Sequence, residues 1–298
     1  RAFGKAAIGK YNAKVTGFLD GFHGLKMNNS ITLVKSDFSG ILTSGGTMLG
    51  TSRERIQDLD PLKKTIAEHK LDGLVCFGGS ATQELALRLK QQGVNIITLP
   101  KSITNHIACT DNCIGFDSAL TIAAESIDRL HTTAHSHHRI ILVEMMGEDS
   151  GWLALGSGIT GGADVILIPE IPYNVSKVAA AIQDRSSKGK RFSLVAVSQG
   201  AISEEDNRFF SKAHQVNQYL RGGKEEFNEV ENQLVEIEED FTGKSIDIAQ
   251  RLSAATNIEA RITILVFLQR GGSPTPTDRM LASMLGTMNA KLAAEEQW

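Results

Sequence analysis

Cysteine is scarce in this 298-residue chain: it has three, Cys76, Cys109 and Cys113, an odd number with no Cys-x-x-Cys pair. That spacing excludes a disulfide framework and the paired-cysteine motifs of metal or redox sites. No run is apolar for long enough to cross a bilayer and no signal-peptide pattern opens the sequence, so a reducing cytoplasm is the expected compartment. Charge of one sign is lacking as well. A formal net charge of -3 leaves no basic stripe for a nucleic-acid backbone, and the expected ligand is a small molecule, with no nucleic acid and no membrane as partner. There are six prolines and no internal repeat or low-complexity linker, while 41% hydrophobic residues suffice for a large core in one domain or two.

What is present is punctuated apolar periodicity. The run Leu74 to Phe77 meets Gly78-Gly79 and a helical stretch, Thr82 to Gln92; a second run, Val94 to Leu99, meets Pro100-Lys101 and a polar loop. This is a βαβ unit whose strand ends open into loops, where ligands sit in open α/β sheets. Upstream, Arg1 to Lys10 is helical, Ala13 to Leu19 a short strand, Asp20-Gly21 and Gly24 a turn, Ile31 to Val34 a short extended piece, and Ile41 to Arg53 a glycine-rich loop. A helix opening an α/β sheet usually follows a strand, so a first strand is expected upstream of Arg1. Glycines let backbone amides approach an oxyanion and Arg53 supplies a guanidinium fork, although loops of this kind serve structure as commonly.

Downstream the alternation continues. Asp117 to His131 reads as an amphipathic helix, Arg139 to Met146 as a buried strand ending at Gly147, and Asp164 onward as a strand delivering Pro169 and Glu170. Val175 to Gly189 follows as a helix and Ser193 to Val197 as a strand. Arg208 to Ile248 is a charged helical region whose acidic run, Glu225 to Asp240, reads as a solvated face. Arg261 to Leu268 is a strand, Gln269 to Asp278 a loop, and Met280 to Glu296 a closing helix. Strand and helix alternating in this way argue for parallel sheets in two lobes.

Several segments carry a family resemblance. Gly50-Thr-Ser-Arg53, Pro100-Lys-Ser-Ile, Thr110-Asp-x-x-Ile-Gly-Phe-Asp-Ser-Ala119, Met146-Gly147, Ser150-Gly-Trp152, Ile168-Pro-Glu170 and Gln269-Arg-Gly-Gly-Ser-Pro274 resemble the 6-phosphofructokinase family in order and approximate spacing, over nearly the whole chain. The resemblance implies an α/β fold of two Rossmann-like lobes with mostly parallel sheets and an active-site cleft between them. It divides the chain into a donor-binding lobe, residues 1–115 plus 270–298, and a smaller sugar-phosphate lobe, residues 116–269. It implies glycolytic phosphoryl transfer from ATP or pyrophosphate to fructose 6-phosphate, with magnesium, in a homodimer or homotetramer.

By that resemblance Ser102, Arg139, Met146, Gly147, Glu170, Arg261 and Arg270 hold the sugar phosphate, and Gly78, Gly79, Ser80, Ala81, Thr82 and Lys101 face the donor. Arg53 neutralises the transferring phosphate and Thr104 stands at the base position. A guanidinium suits such duties because its planar fork pairs with phosphate oxygens bidentately. Donor preference is mixed: Ala81 leaves room for a nucleotide, whereas Lys101 leans toward pyrophosphate.

The departures are more informative. The family's Gly-Gly-Asp-Gly is Gly78-Gly79-Ser80-Ala81 here, and its Pro-Lys-Thr-Ile-Asp-Asn-Asp is Pro100-Lys-Ser-Ile-Thr-Asn-His106. Three acids are thus replaced by Ser80, Thr104 and His106, Glu148 stands where the family has arginine, and Phe267 where a sugar-binding histidine is frequent. The chain also stops at Trp298, a few tens of residues early for the family. A threonine is not ionised near neutral pH, and losing a general base costs roughly 10²–10⁴ in rate. Ser80 and His106, at the metal positions, are poor ligands for magnesium, which favours hard oxygen donors, so metal binding is expected to be weak or absent. The expectation is a sugar-phosphate-binding pseudoenzyme or regulatory subunit, as a homo-oligomer or beside an active paralogue. The alternative is an active 6-phosphofructokinase with substituted base and metal ligands.

The cluster His131, His135, His137 and His138 has a pair four apart, as zinc ligands can be, but no carboxylate or cysteine at a partner spacing, so metal binding is not expected there. Cys109 and Cys113 read as small loop or core residues rather than nucleophiles.

Overall fold

A computed structural model describes residues 1–52, 54, 56–207 and 244–298. Arg53 and the acidic run Glu225 to Asp240 lie outside the described residues. The chain divides into two compact units, one of Arg1–Ser118 with Arg270–Trp298 and one of Ala119–Gln269.

In the first unit α1 (Ala2–Tyr11) leads into β1 (Val15–Phe18), α2 (Phe22–Lys26) and β2 (Ser30–Leu33). β1 and β2 pair antiparallel, Val15 opposite Leu33, which departs from the parallel pairing that the alternation suggests. The physical reason is length. Parallel neighbours need a crossover of about a dozen residues or more, and the connection here is a five-residue helix with short turns. After α3 (Asp60–Glu68) comes the expected βαβ unit: β3 (Leu74–Gly78), α4 (Ser80–Gln91) and β4 (Ile96–Pro100), the two strands parallel with Gly78 opposite Pro100. Leu85 and Leu89 of α4, one turn apart, close with Leu62, Leu74 and Ile96 into a single core cluster.

The second unit holds most of α5 (Phe116–His137), then β5 (Ile140–Met145), α6 (Trp152–Thr160), β6 (Val165–Leu167), α7 (Val175–Ser187), β7 (Ser193–Ser198), α8 (Lys244–Thr256) and β8 (Ala260–Ile264). The strands form one parallel sheet in the order β6-β7-β5-β8. Every residue of β5 and β7 is buried, as expected of central strands covered on both faces. The pleat sorts them: Ile140 and Leu142 meet Val178 and Ile182 of α7 and Ile248 and Leu252 of α8, whereas Ile141, Val143 and Met145 meet Ala123 and Ile127 of α5 and Ala154 of α6.

Three boundaries differ from the sequence reading. α5 runs past His131 to His137 because Thr, Ala, Ser and His offer no breaker until His138 turns left-handed. The segment read as a strand to Leu268 leaves the sheet at Ile264 and ends in a 3-10 turn, Leu268–Arg270. The closing helix α9 (Pro276–Ala294) starts four residues before Met280, since proline is favoured in the first helical turn and the Thr275 hydroxyl accepts from the Asp278 amide.

Candidate functional site

In the first unit the site is built on the ends of β3 and β4. The amide of Lys101 donates to the Gly78 carbonyl (3.0 Å), and the Ser102 and Ile114 amides close the polar loop onto itself through Ile114 and Pro100 carbonyls. Within that loop Asn105 is left-handed, φ 54, and its side chain is spent on the backbone, accepting from Cys113 N (2.7 Å) and donating to Asp111 O (3.0 Å). Asparagine tolerates this conformation better than most residues, and here it sets both neighbours. Thr104 Oγ1 lies 2.7 Å from His106 Nδ1, Ser102 Oγ is 3.0 Å from the same nitrogen, and His106 Nε2 is 3.1 Å from Ser80 Oγ at the start of α4.

Three positions where the resemblance expects acids are therefore occupied by two hydroxyls and an imidazole hydrogen-bonded to one another. They do not fit magnesium. A hydroxyl and an imidazole supply no anionic oxygen, and they satisfy each other.

Lys101 and Arg270 stand near enough for charge to matter. Burial, and then the Arg270 guanidinium, push the Lys101 ammonium below its usual pKa, so an anion bound there would relieve a repulsion. The loop's far end is held by Asp278 of α9, 3% exposed, whose carboxylate accepts from Gly115 N (2.8 Å), Ser118 N (2.8 Å) and Ser118 Oγ (2.5 Å). It caps the first turn of α5 from 160 residues away. No local pattern announces that role.

In the second unit the expected sugar-phosphate residues have protein partners. Arg139 Nε donates to Glu259 Oε2 (2.7 Å), and Arg261, on the adjacent strand, reaches the other oxygen of the same carboxylate. Glu259, just before β8, is an acid two residues ahead of Arg261, a spacing that carries no signal in the sequence. The Met146 amide donates to Gln269 Oε1 (3.0 Å), and the Gly147 carbonyl accepts from Ser198 Oγ (2.6 Å) and Gly200 N (2.8 Å). Both carboxylate oxygens of Glu170 accept from the Gly151 amide (2.8 and 3.1 Å) at the start of α6. Glu148 is exposed beside Gly147. A methyl group at Gly147 would overlap the Ser150 carbonyl and the Ser198 hydroxyl. Gly147→Ala is accordingly expected to cost about 2–3 kcal/mol, read as a lower urea midpoint.

The histidine cluster is structural. His131 Nε2 pairs with the Gly161 carbonyl (2.7 Å), and His131 and His135 pack edge-on to Phe192. Of the thiols, Cys109 is exposed, whereas the surroundings of Cys76 push its pKa up to about 12 and burial also raises that of Cys113. Because the thiolate is the reacting form, Cys109 is expected to consume a disulfide reagent at pH 8 at least roughly 100-fold faster than Cys76, as measured by mapping of labelled peptides. A depression of about 390 Å³ beside Asp58, Asp60 and Arg88 lies elsewhere in the first unit, and its guanidinium is spent on the Ile56 and Gln57 carbonyls.

A parallel sheet covered on both faces in the second unit, and in the first a βαβ whose strand ends carry a glycine pair and a basic, polar loop, define a nucleotide- or phosphate-handling α/β protein. The family model for Phosphofructokinase matches residues 1–293, and the chain belongs to that family. An ATP-dependent 6-phosphofructokinase of Propionibacterium freudenreichii subsp. shermanii is 46% identical, over 99% of this chain and 82% of that one. The phosphofructokinase structure from Saccharomyces cerevisiae superposes with a TM-score of 0.78 at 25% identity; the match covers 99% of this chain but only 39% of the yeast chain. A pyrophosphate-dependent phosphofructokinase from Marinobacter aquaeolei has the same fold, with a TM-score of 0.76 at 20% identity. Family members use ATP or pyrophosphate and bind fructose 6-phosphate. No helix among the described residues is long and apolar enough to cross a membrane.

Proposed function

We propose that this chain binds fructose 6-phosphate or a related sugar phosphate and transfers phosphoryl groups to it very poorly, serving as a regulatory or structural member of its family in the cytoplasm. The observation that carries this reading is the network of Ser80, His106, Thr104 and Ser102, hydroxyls and an imidazole with no carboxylate, which stands where the resemblance places a base and metal-holding acids. Arg139, Arg261 and Arg270 with Met146, Gly147 and Glu170 are proposed to hold the sugar phosphate, and Gly78, Gly79, Ala81, Thr82 and Lys101 the donor. The cationic pair Lys101 and Arg270 supports the binding half. The exposed residues Met280, Met284 and Met288, spaced one turn apart on α9, support association with a second copy or an active paralogue.

One contact favours a second reading, an active enzyme with a substituted base. In the tautomer protonated on Nε2, His106 Nδ1 accepts from the Thr104 hydroxyl, which could pass on a sugar proton. A coupled assay for fructose 1,6-bisphosphate, run at high protein concentration with ATP and pyrophosphate separately, decides between them when paired with calorimetric titration of fructose 6-phosphate. Sugar-phosphate binding without turnover supports the first reading. Turnover that survives repurification and is lost in Arg270→Ala supports the second, and absence of any binding removes both.

A further inference from the structure

We propose that Ser80 is a nucleophile that takes a phosphoryl group from a phosphoanhydride, ATP or pyrophosphate, with His106 as its base, leaving phosphoserine at the start of α4. The proposal rests on the donor-binding half of the function proposed above. It begins with placement. Ser80 follows β3 and Gly78-Gly79 and opens α4, so its side chain stands at a strand-turn-helix corner, and it is exposed. Serine nucleophiles in α/β proteins are presented in this way, with amides of the residues that follow aimed at developing negative charge. The first backbone bond at this end of α4 runs from Gln83 N to Gly79 O (3.0 Å), so the amides of Ala81 and Thr82 precede it and point out of the helix start.

The second element is the base. His106 Nε2 lies 3.1 Å from Ser80 Oγ, while Nδ1 faces two hydroxyl oxygens able to accept, Thr104 Oγ1 at 2.7 Å and Ser102 Oγ at 3.0 Å. In the tautomer that donates from Nδ1, the ring is oriented by those hydroxyls and presents the Nε2 lone pair to the Ser80 hydroxyl. This is the opposite tautomer from the one that would serve Thr104, so the two uses of the ring exclude each other at any moment. The third element is charge. Lys101 follows directly on the Gly78–Pro100 pair, and its ammonium and the Arg270 guanidinium supply positive charge in the same unit for an anionic donor.

The Ser80 proton passes to His106 Nε2, Oγ bonds to the terminal phosphorus, the bridging P–O bond breaks, and its electron pair leaves on ADP or on phosphate. The imidazolium then loses its proton to solvent. The product carries about −1.5 to −2 charge at neutral pH, where the family has an aspartate.

The test incubates the purified chain with ATP, and separately with pyrophosphate, and follows intact mass and tandem mass spectrometry of the peptide bearing Ser80. Slow gain of a single phosphoryl group on Ser80 is expected, absent in Ser80→Ala, an exposed position where alanine leaves no cavity. His106→Ala should slow it roughly 100-fold or more, with part of the rate restored by added imidazole, which a merely structural histidine would not allow. Calorimetric titration with the same donors separates the failures. Donor binding without phosphoserine overturns this inference and leaves the binding reading intact, as does phosphorylation at Ser102, Thr104 or His106 instead, or a rate indifferent to His106→Ala. If neither donor binds, this inference and the donor-binding half of the proposed function fall together, while titration with fructose 6-phosphate decides the sugar-phosphate half separately.

Discussion

Changing Ser80, Thr104 and His106 together to aspartate is expected to raise fructose 1,6-bisphosphate formation by roughly 10³-fold or more over the unaltered chain, and to make it dependent on magnesium. At about 1.4 kcal/mol per decade that is on the order of 4 kcal/mol of transition-state stabilisation. The single changes should do far less. A Thr104→Asp carboxylate would sit beside His106, 2.7 Å from Thr104 in the present chain, and be held by its ring nitrogen instead of accepting a sugar proton. Ser80→Asp alone would bond the other ring nitrogen, and His106→Asp alone would leave no base at position 104. Base and metal ligands act as a unit, so the gain should appear chiefly in the triple variant. The coupled assay with ATP and with pyrophosphate reads it directly. A triple variant no faster than the parent, yet still binding donor, would point to Glu148 as the deeper obstacle.

The extent to which this site was legible follows from how locally each feature is encoded. The βαβ unit could be read from Leu74 to Leu99 because apolar runs, paired glycines and a helical period are all short-range signals. The family could be read because its motifs survive in order even where individual acids do not. Ser80, Thr104 and His106 stand out one by one as losses, but their joining into one hydrogen-bonded group depends on a left-handed Asn105 and on the β3–β4 register. A polar loop gives no warning of that geometry. The antiparallel β1–β2 pair is signalled only by the shortness of its connection, which the alternation of elements does not register. The resemblance assigns Arg139 and Arg261 to the sugar phosphate, whereas each engages Glu259, the residue just before β8. Any sugar phosphate must compete with that carboxylate, at a cost that exposed pairs keep to about 1 kcal/mol or less.

The residue with the greatest structural leverage on the site, Asp278, stands where the sequence pattern shows only the end of a loop. Asp278→Ala is expected to destabilise the first unit by about 3 kcal/mol, because it leaves the part-buried amides of Gly115 and Ser118 and the Ser118 hydroxyl without their acceptor. For a unit of this size the melting transition should fall by roughly 6–12 °C, measured by calorimetry. Asp278→Asn separates charge from geometry. It keeps the volume but offers one carbonyl oxygen where two carboxylate oxygens now serve separate donors, so it should recover only part of the loss. The consequence extends along the chain. Gly115 ends the loop that begins at Lys101, and Thr275, which accepts from the Asp278 amide, also donates to Asp117 Oδ2 (2.5 Å). Releasing this joint loosens the starts of α5 and α9 together, and with them the loop that holds Thr104 and His106. Faster hydrogen exchange at residues 101–118 in Asp278→Ala, with exchange across β5 and β7 unchanged, is therefore the expected pattern, and a uniform rise over both units would refute the local role assigned to this carboxylate.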